Sequence, residues 1–221
     1  MAAQRILKTL LWTLSVPQIG ISLLLEVFAP REFLTDLNSC ISLTKQYGKS
    51  IPQQFIDALI LAEDHRNKLH PGVDMLAMIR VLMIRVWSGH VQGASTIEQQ
   101  YVRVVSNRYE RTIRRKAREQ LLALMLLRRT QKQEIASAYL AIAFYGSSSV
   151  GIVGLKTKFG EDLTKVSFSQ ALQMVAQLKY PRPINPDDAW KFKIAARVNA
   201  LYSFGNGTAN KSFQRIAYRA R

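Results

Sequence analysis

Hydrophobic residues recur at helical spacing along most of this chain. From residue 51 onward the apolar positions repeat every three or four residues, and no run of alternating β-branched residues indicates a sheet. The pattern therefore predicts a mainly α fold. Helices are expected over residues 52–64, 75–87 with Asp74 as the cap, from Ser95 onward, and over 111–129, 132–144, 171–179 and 188–202.

The second of these helices is apolar on nearly every side. A helix of this kind is either fully buried or lies in lipid. Arg80 and Arg85 interrupt it, and long cationic side chains on an apolar helix can extend to lipid headgroups. The sequence leaves a core helix and a membrane-dipping segment as equal alternatives.

The N-terminal segment carries an uncharged run over residues 9–25, near the lower limit of about 17 residues for a membrane-spanning helix. Pro17 and Gly20 are tolerated in such helices. We expect an uncleaved single-pass anchor over residues 1–30, with Arg5 and Lys8 inside and the remainder outside the cytoplasm. A cleaved signal peptide and a buried or interfacial helix are the alternatives. A linker (31–50), a catalytic domain (51–203) and a basic tail (204–221) are expected to follow.

The charge is strongly positive: 31 Lys and Arg against 15 Asp and Glu give a formal net charge of +16. Such a balance indicates a polyanionic partner, which can be nucleic acid, an anionic membrane or a phosphorylated substrate. The basic residues concentrate between positions 101 and 132 with only two aromatic residues among them, Tyr101 and Tyr109, so we expect no nucleic-acid partner. Cys40 is the single cysteine, which excludes an internal disulfide and a cysteine metal cluster.

Residues 93–100, Gly-Ala-Ser-Thr-Ile-Glu-Gln-Gln, predict a helix start suited to an anion. Ser95 and Glu98 have capping-box spacing, and the first backbone N–H groups of a helix favour negative charge. A purely structural cap is the ordinary alternative. Arg115 and Glu119 are four residues apart, which fits a surface ion pair. They also fit an anion site in which Glu119 holds the arginines or a metal.

Two adjacent carboxylates, Glu63 and Asp64, end the first predicted helix. Negative charge is unfavourable at a helix C-terminus, so this pair is a candidate for function. His70 follows shortly afterwards, and by itself it indicates a structural hydrogen bond. The three histidines lack zinc-site spacing.

Taken together, these stretches resemble the peptidoglycan glycosyltransferases, the family 51 domain of penicillin-binding proteins. Five ordered motifs over about residues 51–201 carry the resemblance. They are Ala62-Glu63-Asp64 with His70, Gly72 and Asp74; Gly93 with Ser95-Thr96-Ile97 and Gln99-Gln100; Arg115-Lys116 with Glu119; Lys132 with Ile135 and Tyr139-Leu140; and Arg197 with Leu201. No second domain follows, which resembles the monofunctional transglycosylase type.

The resemblance implies a lysozyme-like two-lobed helical domain with an N-terminal membrane anchor, on the outer face of the cytoplasmic (inner) membrane. It implies polymerisation of lipid II with inversion and release of undecaprenyl pyrophosphate. Lipid II, the nascent glycan, the membrane and other cell-wall synthesis proteins are the implied partners. Glu63 matches the general base, and Glu119 matches a second catalytic glutamate near the donor pyrophosphate, where a divalent metal (Mg or Mn) is implied. The implied substrate-binding residues are Asp64, His70, Ser95, Thr96, Gln99, Gln100, Arg103, Arg111, Arg115, Lys116 and Arg197.

The chain departs from the family pattern at several supporting positions. Asn67 replaces a usual Phe, Glu98 a usual Thr, Ser137 a usual Glu, Ala141 a usual Asn and Ala196 a usual Arg. Glu98 places negative charge beside the expected pyrophosphate site, unless Arg103 or another cation offsets it. The alternative is therefore a catalytically impaired relative that binds lipid II or glycan as an interaction module.

Overall fold

The structure is a computed structural model that describes residues 2–88 and 93–205. Within these residues the fold is mainly helical, as predicted, and it divides into two compact units. The elements are α1 (Ala2–Leu14), α2 (Val16–Phe28), α3 (Arg31–Tyr47), α4 (Gln53–Glu63), α5 (Met75–Ser88), α6 (Ile97–Ser106), α7 (Ile113–Leu127), α8 (Lys132–Ile142), β1 (Phe144–Gly146), β2 (Ser149–Val150), α9 (Gly151–Phe159), a 3-10 turn (Leu163–Lys165), α10 (Phe168–Ala176) and α11 (Asp188–Gly205).

The first unit combines Met1–Lys49 with Asp64–Tyr139. Helices α3, α6 and α7 pack against one another in its core. Each helix presents apolar side chains at helical spacing, which places them on one buried face. The buried side chains are Phe33, Leu37 and Cys40 on α3, Tyr101 and Val102 on α6, and Leu122, Ala123 and Leu126 on α7.

The second unit combines Ser50–Glu63 with Leu140–Arg221. Helices α4 and α10 form its centre, with α11 packed against both. Strands β1 and β2 form a short antiparallel hairpin that the sequence did not predict. Because the two strands have only three and two residues, no alternation was visible. Gly146 has φ 153° and lies against the Arg182 backbone, where a side chain would collide.

The predicted cap of the second helix is confirmed, because Asp74 Oδ1 accepts a hydrogen bond from the Ala77 N–H at 2.8 Å. Ala77 is the buried residue of α5, and the helix exposes half of its ten large apolar side chains. The core-helix alternative is therefore wrong for this segment. The exposed residues are Ile79, Leu82, Met83, Val86 and Trp87.

The expected anchor is not one straight helix. It forms α1 and α2, which meet at a bend of 51°. Within residues 2–88 and 93–205 no single helix is long and apolar enough to cross a membrane. The bent pair together has the length and apolar composition of a membrane span.

The segment expected to be a linker forms helix α3, whose Phe33, Leu37, Cys40 and Thr44 are buried. Their spacing of three to four residues puts all four on one face, which explains why the segment packs as part of the first unit. At the other end, Phe204 and Gly205 belong to α11. The rest of the predicted basic tail lies outside the described residues.

Candidate anion-binding active site

The basic stretch after residue 100 is organised around one buried carboxylate. Glu119 on α7 has a side-chain exposure of 3% and contacts three cations, so the surface-pair interpretation is wrong. Arg103 Nε lies 2.7 Å from Glu119 Oε1, and Arg103 Nη2 lies 3.1 Å from Oε2. Arg115 Nη1 also donates to Oε1, and Lys116 Nζ lies 3.5 Å from Oε2. Three cations against one carboxylate leave two positive charges at this point.

Residues at the start of α6 extend this group, which we call the cationic cradle: Ser95, Gln99, Arg103, Arg115, Lys116 and Glu119. Lys116 Nζ donates to Ser95 Oγ at 2.6 Å and to Gln99 Oε1 at 2.9 Å. Arg103 Nη2 donates to Ser95 Oγ at 3.2 Å. The buried Gln99 Nε2 has no hydrogen-bond partner among the described residues. An arrangement of ammonium, guanidinium and amide donors suits a phosphate group.

The cradle alters the titration of its cations. Burial, together with the charges of Arg103 and Arg115, lowers the pKa of Lys116 to about 8, although Glu119 opposes the shift. The hydrogen bond from Arg103 to Glu119 raises the pKa of Arg103. Lys116 is thus the member whose charge changes near neutral pH.

Two helix starts position the cradle. Thr96, not Ser95, is the N-cap of α6, because its side chain accepts from the Gln99 N–H at 3.3 Å. The Thr96 hydroxyl also donates to the Gly72 carbonyl at 2.7 Å. Thr112 caps α7 in the same way through the Arg115 N–H. The predicted Ser95–Glu98 capping box is therefore wrong by one residue, since the Ser95 hydroxyl contacts Lys116 and Arg103 instead.

Some predicted site residues lie elsewhere. Arg111 is exposed and takes no part in the ion pairs described for the cradle. Gln100 accepts a hydrogen bond from the Tyr139 hydroxyl at 3.0 Å. Arg118, three residues after Arg115, is half-buried and pairs with Asp36 of α3 at 2.7 Å, which joins α7 to α3.

A second polar group, fully buried, surrounds Asp64. His70 Nε2 lies 3.0 Å from Asp64 Oδ1, and His70 Nδ1 accepts from the Gly72 N–H at 3.1 Å. Asp64 Oδ2 accepts from Asn67 Nδ2 at 3.2 Å and from the Ile97 N–H at 3.2 Å. Burial raises the pKa of Asp64, but the hydrogen bond and charge of His70, with Lys132 and Asn67, outweigh it and lower the pKa overall.

Glu98 points into this group and is fully buried. Its Oε1 lies 3.1 Å from Asn67 Nδ2 and 3.1 Å from Lys132 Nζ. Lys132 also approaches His70 Nδ1 at 3.4 Å. Lys132 is therefore the cation that compensates the negative charge of Glu98, whereas Arg103 forms its ion pair with Glu119.

Asp64, His70 and Glu98 offer ligand atoms within 4.8 Å of one another, a grouping that could hold a metal ion. The donors already present do not fit one. Both ring nitrogens of His70 are hydrogen-bonded, and Lys132 brings a positive charge to Glu98. Glu119, the predicted ligand, is contacted by three cations that would repel a divalent ion.

The predicted general base lies in the second unit. Glu63, at the end of α4, accepts a hydrogen bond from Arg197 Nη2 of α11 at 2.6 Å. The same nitrogen lies 3.4 Å from the Ala62 carbonyl. The side chains of Arg197 and Glu63 are 12% and 18% exposed. The structure thus joins the first and fifth sequence motifs at this ion pair.

Three residues outside the predicted site take part in these groups. Lys132 was visible as a member of the fourth motif, and Asn67 and Glu98 only as departures from the family pattern. Ser137, another departure, is also accounted for, because its hydroxyl donates to the Tyr47 carbonyl at 2.7 Å. Nothing in the structure explains Ala141 or Ala196.

A helical fold with a cationic cradle beside a helix start is an arrangement suited to holding a phosphate group. The Transglycosylase family model matches residues 39–203, and the chain therefore belongs to this family. The resemblance to the family 51 glycosyltransferases is confirmed.

Curated relatives agree with this family. Penicillin-binding protein 1A of Haemophilus influenzae is 38% identical over 138 residues, which are 62% of this chain and 16% of the relative. Penicillin-binding protein 1A of Aquifex aeolicus is 32% identical over 155 residues, 68% of this chain and 21% of the relative. Penicillin-binding protein 1B of H. influenzae is 35% identical over 144 residues, 62% of this chain and 18% of the relative. The matches span about a fifth of these relatives or less.

Proposed function

We propose that this chain is a peptidoglycan glycosyltransferase that polymerises lipid II into glycan strands. The cationic cradle is the observation that carries the proposal, because a leaving pyrophosphate needs fixed positive charge. Arg103, Arg115 and Lys116 leave two net positive charges beside Glu119. Family membership, which rests on residues 39–203, supports the same activity.

In the proposed reaction, Glu63 accepts the proton of the acceptor sugar's 4-hydroxyl. The freed oxygen forms a bond to the anomeric carbon of the donor from the opposite face, and the configuration inverts. The bond from that carbon to the pyrophosphate oxygen breaks, and undecaprenyl pyrophosphate leaves with the electron pair. Arg197 holds the Glu63 carboxylate by the 2.6 Å contact.

The cradle stabilises the charge that develops on the leaving group. Lys116 and the two arginines are preorganised by Glu119, so little rearrangement is needed as the bond breaks. Ser95 and Gln99 are the proposed polar ligands of the pyrophosphate, while Thr96, Asp64 and His70 support the start of α6. Gln100, which accepts from the Tyr139 hydroxyl, remains a proposed substrate contact. Arg111, which is exposed, remains a proposed contact of the donor substrate. A Mg or Mn ion on Glu119 stays a prediction from the family resemblance. The three cations that contact Glu119 disfavour such an ion.

We also propose that the fold is lysozyme-like and two-lobed, and that the domain begins before the predicted residue 51, since the family match starts at residue 39. The proposed location is the inner membrane, with the catalytic domain on the extracytoplasmic side. Exposed apolar residues of α1, α2 and α5 support contact with lipid. Cell-wall synthesis proteins remain proposed partners.

Incubation of the purified protein with lipid II tests the activity. Wild type should form glycan polymer, and Glu63→Gln should reduce the rate by about 10²- to 10⁴-fold, since it removes the proton acceptor. Asp57→Asn is the matched control, because Asp57 lies on the same helix and its partner is the exposed Gln53. The control should retain the wild-type rate.

A wild type that binds lipid II without making polymer would contradict the proposal and support the interaction-module alternative. Release of fragments from finished glycan would instead identify a lytic enzyme. Analysis of the products separates the two outcomes, because the first gives no product and the second gives released glycan fragments.

A further inference from the structure

A buried ion pair joins three segments of the first unit. Glu98 belongs to the first turn of α6, Lys132 begins α8, and Asn67 lies in the loop that precedes α5. Glu98 Oε1 accepts from both Asn67 Nδ2 and Lys132 Nζ, each at 3.1 Å. The Glu98 side chain is fully buried, and that of Lys132 is 24% exposed.

The same loop and the same helix start are joined at two further points. Asp64 Oδ2 accepts from the Ile97 N–H at 3.2 Å, and the Thr96 hydroxyl donates to the Gly72 carbonyl at 2.7 Å. Ser95, just before α6, and Gln99, in its first turn, are the residues of this segment that contact Lys116 of the cradle. Glu98 is therefore adjacent in sequence to one of the cradle's neutral ligands and three residues from the other.

The charges in this group explain why a pair is needed. Asp64 and Glu98 bring two carboxylates into a buried volume, where an unpaired charge is strongly disfavoured. His70 satisfies Asp64, and Lys132 supplies the positive charge for Glu98. Asn67 Nδ2 donates to both carboxylates and so bridges them. Glu98 Oε2 has no hydrogen-bond partner among the described residues, so the Lys132 contact carries most of its compensation.

We propose that Glu98 and Lys132 are positioning residues for the pyrophosphate subsite, acting through the start of α6. The pair occupies a place where carboxylates could hold a cation, and its own ammonium serves instead. The identity of the ligand rests on the proposed function, whereas the coupling between the pair and the cradle does not. Neither residue contacts the anion in this account.

Binding of geranyl pyrophosphate, measured by calorimetry in EDTA, tests the proposal without requiring polymerisation. Glu98→Gln and Lys132→Met should each raise the Kd by about tenfold. The Kd of the double variant should be no higher than that of the weaker-binding single variant, because the two residues act as one unit. Lys132→Arg should restore binding to within about threefold of wild type, because it keeps the charge.

Thr44→Val is the control for a general loss of stability. Thr44 is buried between α3 and α6, where it contacts the Cys40 carbonyl and the Tyr101 hydroxyl, and neither of these hydrogen bonds involves a cradle residue. It should bind geranyl pyrophosphate as wild type does. The pH at which binding weakens, which reports Lys116, should shift in Glu98→Gln and stay unchanged in Thr44→Val.

Wild-type affinity and pH profile in folded Glu98→Gln and Lys132→Met would overturn the proposal. If the single variants do not fold, the uncharged double variant replaces them, and wild-type affinity and pH profile in that folded variant would overturn the proposal. A wild type that does not bind geranyl pyrophosphate would refute the subsite itself. A wild type that binds the pyrophosphate but makes no polymer would refute only the proposed function.

Discussion

Lys116 connects the electrostatics of a single residue with a measurable pH dependence. Its pKa lies near 8 because burial disfavours the charged ammonium. The folded-state pKa is below the ordinary lysine value, so the ammonium is present at pH 7 and is lost as the pH rises through about 8. An anion in the cradle therefore loses one of its cations over a physiological range.

We expect the KM for lipid II to rise about threefold to tenfold between pH 7 and pH 9.5, as one charge-assisted hydrogen bond is lost. Steady-state kinetics across this range would measure it. Lys116→Arg is the control, because a guanidinium stays charged throughout, and its KM should vary less. A wild-type KM that stays flat to pH 9.5 would contradict the assigned role of Lys116.

At the residue scale, the sequence named every member of the cradle but did not anticipate the buried pair. A helix start and local charge density indicated an anion site, and the family resemblance supplied its individual residues. Asn67 and Lys132 meet Glu98 across 31 and 34 residues of chain, and local patterns contain no information on such contacts. The sequence left open which cation offsets Glu98, because its partner Lys132 is distant in the chain.

At the scale of elements, helix α2 has an inverted polarity. Its polar residues Gln18, Ser22 and Glu26 face the unit, while Ile21, Leu23, Leu24, Val27 and Phe28 are exposed. Arg128 donates to Glu26 Oε1 at 2.8 Å and to Ser22 Oγ at 2.9 Å, and Arg129 lies 3.1 Å from Glu26. An ionic contact thus fixes α2 to the C-terminal end of α7.

Glu26→Arg should lower the free energy of unfolding by about 1 kcal/mol, because these charges are partly exposed and a reversal adds repulsion to the lost pair. The exchange Glu26→Arg with Arg128→Glu should recover part of this loss. Denaturant unfolding in detergent would measure both variants, with Lys191→Ala of the exposed Asp188 pair as a control. Equal stability of all variants would show that the contact does not fix α2.

The sequence predicted elements well where periodicity was long and poorly where it was short. Helices α4, α5, α7, α10 and α11 were anticipated because their apolar spacing extends over several turns. The β hairpin has too few residues for alternation to be visible. Helix α3 was assigned to a linker because its polar residues mask a buried stripe of Phe33, Leu37, Cys40 and Thr44.

At the scale of the whole molecule, positive charge and exposed apolar helices occur together. The net charge of +16 favours anionic surfaces, and α1, α2 and α5 expose large apolar side chains. An interfacial helix combines both attractions, so its binding depends on anionic lipid and on salt. Two of the three tryptophans lie on these helices: Trp12 on α1, and Trp87 on α5, where it is 93% exposed. The third, Trp190 on α11, donates its Nε1–H to the Tyr180 carbonyl at 3.0 Å and serves as the reference.

Single-tryptophan variants in vesicles of brominated lipid would test contact with the acyl chains. We expect Trp87 and Trp12 fluorescence to fall by about twofold when anionic lipid is present, because their rings insert at the interface, while Trp190 fluorescence stays constant. Neutral vesicles at high salt should bind the chain less, since the electrostatic attraction is then screened. Quenching of Trp190 equal to that of Trp87 would contradict a lipid-facing surface formed by these helices. A response of Trp87 without Trp12 would restrict that surface to α5.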